Sequence, residues 1–245
     1  MAARSTGEAS GVLVAPLKGR AKPKARRRRG PKPVDAATVA EIFGRLSAAM
    51  PEPRAELEYI NPYTLLVAVV LSAQATDKGV NLATRPLFAK ADHPRAMLAL
   101  GEDVVREHIR TIGLYRNKAK NVIALSQLLL DQHGGEVPPD LELLRALPGV
   151  GRKTASVVVN VAFGQPRIAV DTHIFRVSNR IPLAPGATPD QVQDGLERIV
   201  PPDYLLNAHH WLILHGRYVC KARKPECWRC PIIDLCRFEP KTPAP

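Results

Sequence analysis

The sequence predicts an all-α protein, and three observations carry that prediction. Apolar residues recur at the i, i+3, i+4 spacing of helix faces along most of the chain. Helix-starting side chains and helix-ending glycines punctuate those stretches. No segment keeps the strict apolar–polar alternation of a half-buried strand, and no internal repeat is present. With 245 residues, 45% of them hydrophobic, the chain has material for one large core or two small ones.

In chain order, residues 1–33 come first as a basic tail. Ten lysines and arginines stand there against the single acid Glu8, so the tail holds +9 of the net +12. Like charges repel and bury no apolar area, so the expectation is a solvated arm: a solubility tail or a nonspecific tether for phosphates. The run 11–17 is too short for a secretory signal and is broken by Pro16. The longest apolar run, 65–71, is far below the roughly 20 residues of a membrane span. Organellar or nuclear targeting by the tail is left open.

Beyond the tail, Asp35 is placed to cap a helix whose face is Val39, Ile42, Phe43, Leu46 and Met50. Asn61 and Pro62 read as N-cap and first residue of a helix over 62–73. Asp77, Asp92 and Asp140 are candidate starts of further helices, and Gly101, Gly113 and Gly134 candidate C-terminal glycines. Thr188 and Gln191 form a capping-box pattern ahead of Val192, Leu196 and Ile199. One stretch, ASVVVNVAF at 155–163, has strand propensity. A lone strand would leave its backbone unpaired, so a buried helix is the expectation there too.

The segment LPGVGRKTA at 147–155 is the most informative feature. Gly149 and Gly151 leave the backbone bare, so its N–H groups can approach an anion at the start of a helix. Lys153 stands at the mouth of that site. Taken alone, a G-x-G turn is also compatible with a plain loop between two core helices.

All four cysteines lie close together near the C-terminus, as C-x6-C-x2-C-x5-C: Cys220, Cys227, Cys230 and Cys236. Clustered thiolates point to a metal site, and spacing by itself leaves zinc and a [4Fe–4S] cluster both open. Between the first two lies a loop with three cations, Lys221, Arg223 and Lys224.

LPGVGRKTA resembles the helix-hairpin-helix of DNA glycosylases. Together with VDTHIFRV at 170–177 and the cysteine spacing, it makes residues 34–239 resemble the endonuclease III family. The resemblance implies two helical domains flanking a DNA-binding cleft. One is a six-helix barrel with the helix-hairpin-helix, over 55–165. The other combines 34–54 with 166–239 and carries a [4Fe–4S] cluster on the four cysteines, leaving 240–245 as a C-terminal tail. The implied partner is double-stranded DNA containing damaged bases or abasic sites, bound by a monomer with no membrane involved, and the implied location is the bacterial cytoplasm at the nucleoid.

The implied activity is that of a bifunctional DNA glycosylase and abasic-site lyase, with oxidised pyrimidines as the expected targets. An enzyme that acts on a base must take it out of the stack. Lys153 would attack C1′, expel the base and form a Schiff base, after which β-elimination cuts the strand on the 3′ side. Attack requires a neutral amine, which the positive end of a helix dipole favours. Asp171 would stabilise charge at C1′ or move a proton to and from Lys153, although its position also suits a plain N-cap for a helix over 172–178. Gln74 would fill the space left by the extruded nucleotide and Leu114 would wedge between bases. Gly149, Gly151, Arg152, Lys221, Arg223 and Lys224 would meet phosphates. His173 reads as core or cap packing, and His209, His210 and His215 as packing or supporting groups.

Two alternatives stand beside this reading. A mismatch adenine glycosylase shares the hairpin and the cluster, but carries a small residue where this chain has Lys153. A non-catalytic helix-hairpin-helix module with a structural zinc would explain the turn and the cysteines, but leaves Lys153 with Asp171 unexplained.

Overall fold

The computed structural model describes residues 32–245, so the basic tail, apart from Lys32 and Pro33, lies outside the described residues. Ten α-helices follow one another: α1 (Ala36–Ala49), α2 (Pro62–Leu71), α3 (Asp77–Phe88), α4 (Pro94–His108), α5 (Tyr115–His133), α6 (Leu141–Arg145), α7 (Arg152–Phe163), α8 (Thr172–Arg180), α9 (Pro189–Ile199) and α10 (Pro202–Tyr218). A short 3-10 turn, Cys227–Arg229, comes after them, and no strand forms among the described residues. None of these helices is long and apolar enough to cross a membrane.

Helix α2 sets the centre of the larger core. Its sequence is apolar on every side, and every residue from Tyr63 to Leu71 is buried. A helix with no polar face is stable only when surrounded. Helices α3 to α7 supply that surround, with Val80, Leu87, Met97, Ile109, Leu125, Leu129, Leu144 and Val158 packed into one cluster with Leu66 and Leu71. A second cluster joins α1 to α8, α9 and α10 through Ile42, Phe43, Ile174, Val177, Leu196 and Leu212, and it reaches Cys220 and Ile232. Leu65 and Val69 of α2, Val157 of α7 and Ala169 make a small third cluster between them. Asn160 on α7 ties the halves further by donating from Nδ2 to the carbonyl of Leu206 on α10 at 3.0 Å.

Several ends differ from the sequence expectation. Helix α2 stops at Leu71, because Ser72 turns its hydroxyl back to the Val69 carbonyl. Asp77 does start a helix, as the first residue of α3 behind the cap Thr76. Asp92 starts no helix: α4 begins at Pro94 behind His93, and the Asp92 carboxylate pairs with the His93 ring. Gly134 ends α5 with a left-handed backbone, as glycine permits. Gly101 instead interrupts α4 from inside with φ of 76°, and Gly113 caps nothing, since α4 ends at His108. At α9 the Thr188 hydroxyl caps Gln191, but the Gln191 side chain accepts from Ala187 and not from the cap residue. The β-branched run of α7 is helical because its Val157, Val158 and Val159 are buried by the neighbouring helices. Tertiary burial outweighs a propensity difference of a few tenths of a kcal/mol per residue.

Candidate functional site

The hairpin turn is built from α6, a tight turn and α7. Gly149 has φ of +80°, a conformation that costs an L-residue about 1–2 kcal/mol. It is also crowded: a Cβ there would stand 2.8 Å from the Asn121 Nδ2 on α5. Gly151 differs, being extended at the N-cap of α7 with open space around it. No side chain caps α7, so the N–H groups of its first turn are left for an anion. Gly149→Ala should therefore lower stability by about 1–2 kcal/mol and weaken duplex binding, because the turn must shift off Asn121. A thermal melt and a binding isotherm check both, and an unmoved melt would mean the turn tolerates the left-handed alanine.

Lys153, in the first turn of α7, lies on the wall of an open cleft between the two cores. Asp171 lines the same cleft from the start of α8. Its Oδ1 accepts from the Ile174 N–H at 2.8 Å, so it is the N-cap of that helix as well as a cleft residue. His173 is half-buried, packs its Cβ against Gly216 and also lines the cleft, which goes beyond the packing role expected for it.

Several cleft residues carried no sequence signal. Arg217, near the end of α10, donates to Asp77 Oδ2 at 2.7 Å and pairs with Glu56, which also accepts from the Tyr218 hydroxyl. This network joins elements more than a hundred residues apart in the chain. Burial raises the Asp77 carboxyl above its ordinary value, and the charge of Lys153 opposes that. His209 and His210 complete the floor with rings at 5.2 Å, edge to face. Burial pushes His209 down to about 3, helped by His210 and Lys153, and burial lowers His210 too. Burial thus disfavours a positive charge on both rings in the cleft.

Gln74 stands on an exposed loop that lines the cleft, and the loop carrying Leu114 lies beside it. Gln74 has φ of 55° and Leu114 φ of 60°, both in the left-handed region that non-glycine residues seldom occupy. Leu114 is 58% exposed and supplies no cap to α5 behind it. The loops touch, since a Cβ on Gly113 would lie 3.7 Å from the Gln74 carbonyl oxygen. Two exposed residues with left-handed backbones, forty positions apart, thus stand on touching loops. Strain of this kind persists only when surroundings enforce it.

Arg152 has a different setting from Lys153. Its guanidinium pairs with Asp194 and reaches Asp190 at 3.5 Å, both on α9. Lys221 likewise pairs with Glu226, while Arg223 and Lys224 are exposed. Arg180 on α8 fixes this loop by donating to the Lys221 carbonyl at 2.8 Å and the Ala222 carbonyl at 3.3 Å.

The four cysteines form no disulfide and line one pocket with Arg180, His215, Ile232 and Phe238. Four sulfur donors around one pocket are the ligand number and type of a [4Fe–4S] cluster, and equally of a four-cysteine zinc site. The Arg180 guanidinium donates to Cys220 Sγ at 3.4 Å, and His215 Nε2 lies 3.8 Å from Cys230 Sγ. Burial pushes the Cys230 thiol up to about 11, with the neighbouring cysteines adding to it. The donor set fits an iron–sulfur cluster. His215, expected as a packing or supporting group, lines the same pocket.

Residues 67–202 match the HhH-GPD superfamily of base excision DNA repair proteins. Residues 220–236 match the iron–sulfur binding domain of endonuclease III. The chain is 56% identical over 201 residues to Endonuclease III of Escherichia coli (strain K12), covering 82% of this chain and 95% of that one. It is 54% identical over 205 residues to Endonuclease III of Rickettsia conorii (strain ATCC VR-613 / Malish 7), covering 84% and 98%. A solved structure of a trapped endonuclease III–DNA covalent intermediate superposes with a TM-score of 0.79 at 44% identity, over 83% of this chain and 96% of that chain.

Proposed function

From the premise that this chain belongs to the endonuclease III family of base excision DNA repair enzymes, we propose that Lys153 is its nucleophile and Asp171 its charge-stabilising partner. The protein is a DNA glycosylase with abasic-site lyase activity, it acts on DNA, and it carries a [4Fe–4S] cluster. Cys220, Cys227, Cys230 and Cys236 would hold that cluster, whose part is to order the irregular chain around it.

One observation carries the assignment of the nucleophile: Lys153 stands at the uncapped N-terminus of α7 on the wall of the cleft that Asp171 also lines. In the proposed reaction the Lys153 amine attacks C1′ of the extruded nucleotide. The bond from C1′ to the base breaks, and the base leaves with a proton. The sugar ring opens to an imine on Lys153, the C2′ proton is lost, the 3′ phosphate departs, and water then hydrolyses the imine to free the Lys153 amine. Gln74 and Leu114 fill the duplex behind the extruded base, since unstacking costs a few kcal/mol per step. Gly149 and Gly151 hold a phosphate on backbone N–H groups, with Arg223 and Lys224 on a second stretch of backbone. Oxidised pyrimidines in duplex DNA are the proposed targets, and a monomer the proposed working form.

Incubation with a duplex bearing one abasic site, under borohydride, tests this reading. A covalent protein–DNA complex should accumulate, and its absence would overturn the lysine mechanism. Asp171→Asn gives a second test. Asparagine is an equally good N-cap, so α8 should stay intact, with stability changed by less than about 0.5 kcal/mol. Base release in single turnover should slow by roughly a hundredfold or more, as loss of one charge-stabilising group does. Release at the wild-type rate would reduce Asp171 to a helix cap.

A further inference from the structure

Residues 237–241, beyond the fourth cysteine, fold back over the pocket that the four sulfurs line. Phe238 and Lys241 form part of the wall of that pocket. The Lys241 Nζ donates to the carbonyls of Cys236 at 2.7 Å and Phe238 at 2.6 Å, and reaches the Glu239 carboxylate at 3.2 Å. The Phe238 ring lies beneath the Arg180 guanidinium, 4.5 Å from carbon to centroid. That guanidinium also donates to Cys220 Sγ and to two carbonyls of the first cysteine loop. Arg237 adds a bond to the Lys32 carbonyl at 3.2 Å.

These residues have no helix to hold them, and Arg237, Glu239 and Pro240 are exposed. Phe238 and Lys241 are nevertheless half-buried. A lysine normally keeps its head in water, because an ammonium is costly to dehydrate. Here three oxygens replace that water and pin a loop that would otherwise be loose. An aromatic face against a guanidinium closes the other side. None of these side chains is a cluster ligand, and none lines the cleft.

We propose that residues 237–241 are a cover over the cluster that excludes small iron-binding molecules and water, with Phe238 and Lys241 as the positioning residues that hold it shut. This rests on the iron–sulfur reading of the four cysteines. Local openings, not global unfolding, set how fast a small molecule reaches such a site.

The test uses the full-length protein with its cluster in place. Excess of a small iron chelator is added, and the visible absorbance of the cluster is followed with time. Phe238→Ala and Lys241→Ala should hold wild-type iron when freshly prepared and lose it roughly tenfold faster, the opening advantage given by removing one partly desolvated contact. Phe238→Tyr should restore the wild-type rate, because it keeps the aromatic face. Lyase activity measured before the chelator is added should not change. Wild-type rates of loss in both alanine variants would overturn the cover, as would alanine variants that purify without iron, since the segment would then serve assembly. A wild-type protein that holds zinc and no iron would overturn the cluster reading itself.

Discussion

Lys153→Gln should give no borohydride-trapped complex and should lower strand cutting at an abasic site by at least about a thousandfold. A covalent route divides one hard step into two easier ones, and removing the nucleophile removes the route. Glutamine keeps helix propensity and length, so α7 should fold as before. Its position leaves the main features of the site intact: Gly149 keeps its left-handed turn, Asp171 keeps its cap on α8, and Arg217 keeps Asp77 and Glu56. Duplex affinity should stay within about tenfold of wild type, since a single cation contributes only one share of the phosphate attraction. A gel-resolved trapping assay, with a binding isotherm alongside, measures both. Trapping at the wild-type rate would assign the imine to another amine.

Cys227→Ser should abolish the visible absorbance and unravel the chain beyond α10. The reason lies in what that region lacks. From Cys220 to Cys236 the only regular element is the 3-10 turn Cys227–Arg229, and Ile232 is its one fully buried aliphatic. So little apolar area cannot offset the entropy of ordering that much chain. Metal binding there is folding free energy. Limited proteolysis should cut between Tyr218 and Cys236 in the variant and not in the wild type. Duplex binding should fall at least about tenfold, because Arg223 and Lys224 lose their fixed places. The core around α2 should survive, since none of its residues touches the cysteine pocket. Wild-type protease resistance in an iron-free variant would show that packing alone holds this segment.

Much of the fold and the site was legible in the amino-acid order. Asp35, Asn61, Asp140 and Thr188 cap their helices as written, because a cap bonds its own backbone within three residues. The glycine turn with its lysine, and the cysteine spacing, are likewise local patterns with local chemistry. The places where reading failed share a cause. Asp92 lost its helix start to a proline-led one, and Gly113 its helix end to a loop pressed on Gln74. In each case a competitor one or two residues away, or a contact from elsewhere in the chain, decided the outcome.

The sequence by itself determined the helical class, the candidate nucleophile Lys153 and the four sulfurs. It did so because helix faces, caps and ligand spacing are written within a few residues of one another. Only the tertiary structure decided that Asp171 both caps α8 and faces the cleft, and that Arg152 turns to Asp190 and Asp194. The same holds for Gln74 meeting Gly113, and for Arg217 closing on Glu56 and Asp77. These depend on side chains up to about 160 positions apart, brought together by the burial of α2 and the docking of α10. No local pattern encodes such a meeting, because its free energy comes from the packed cores and not from the residues that happen to touch.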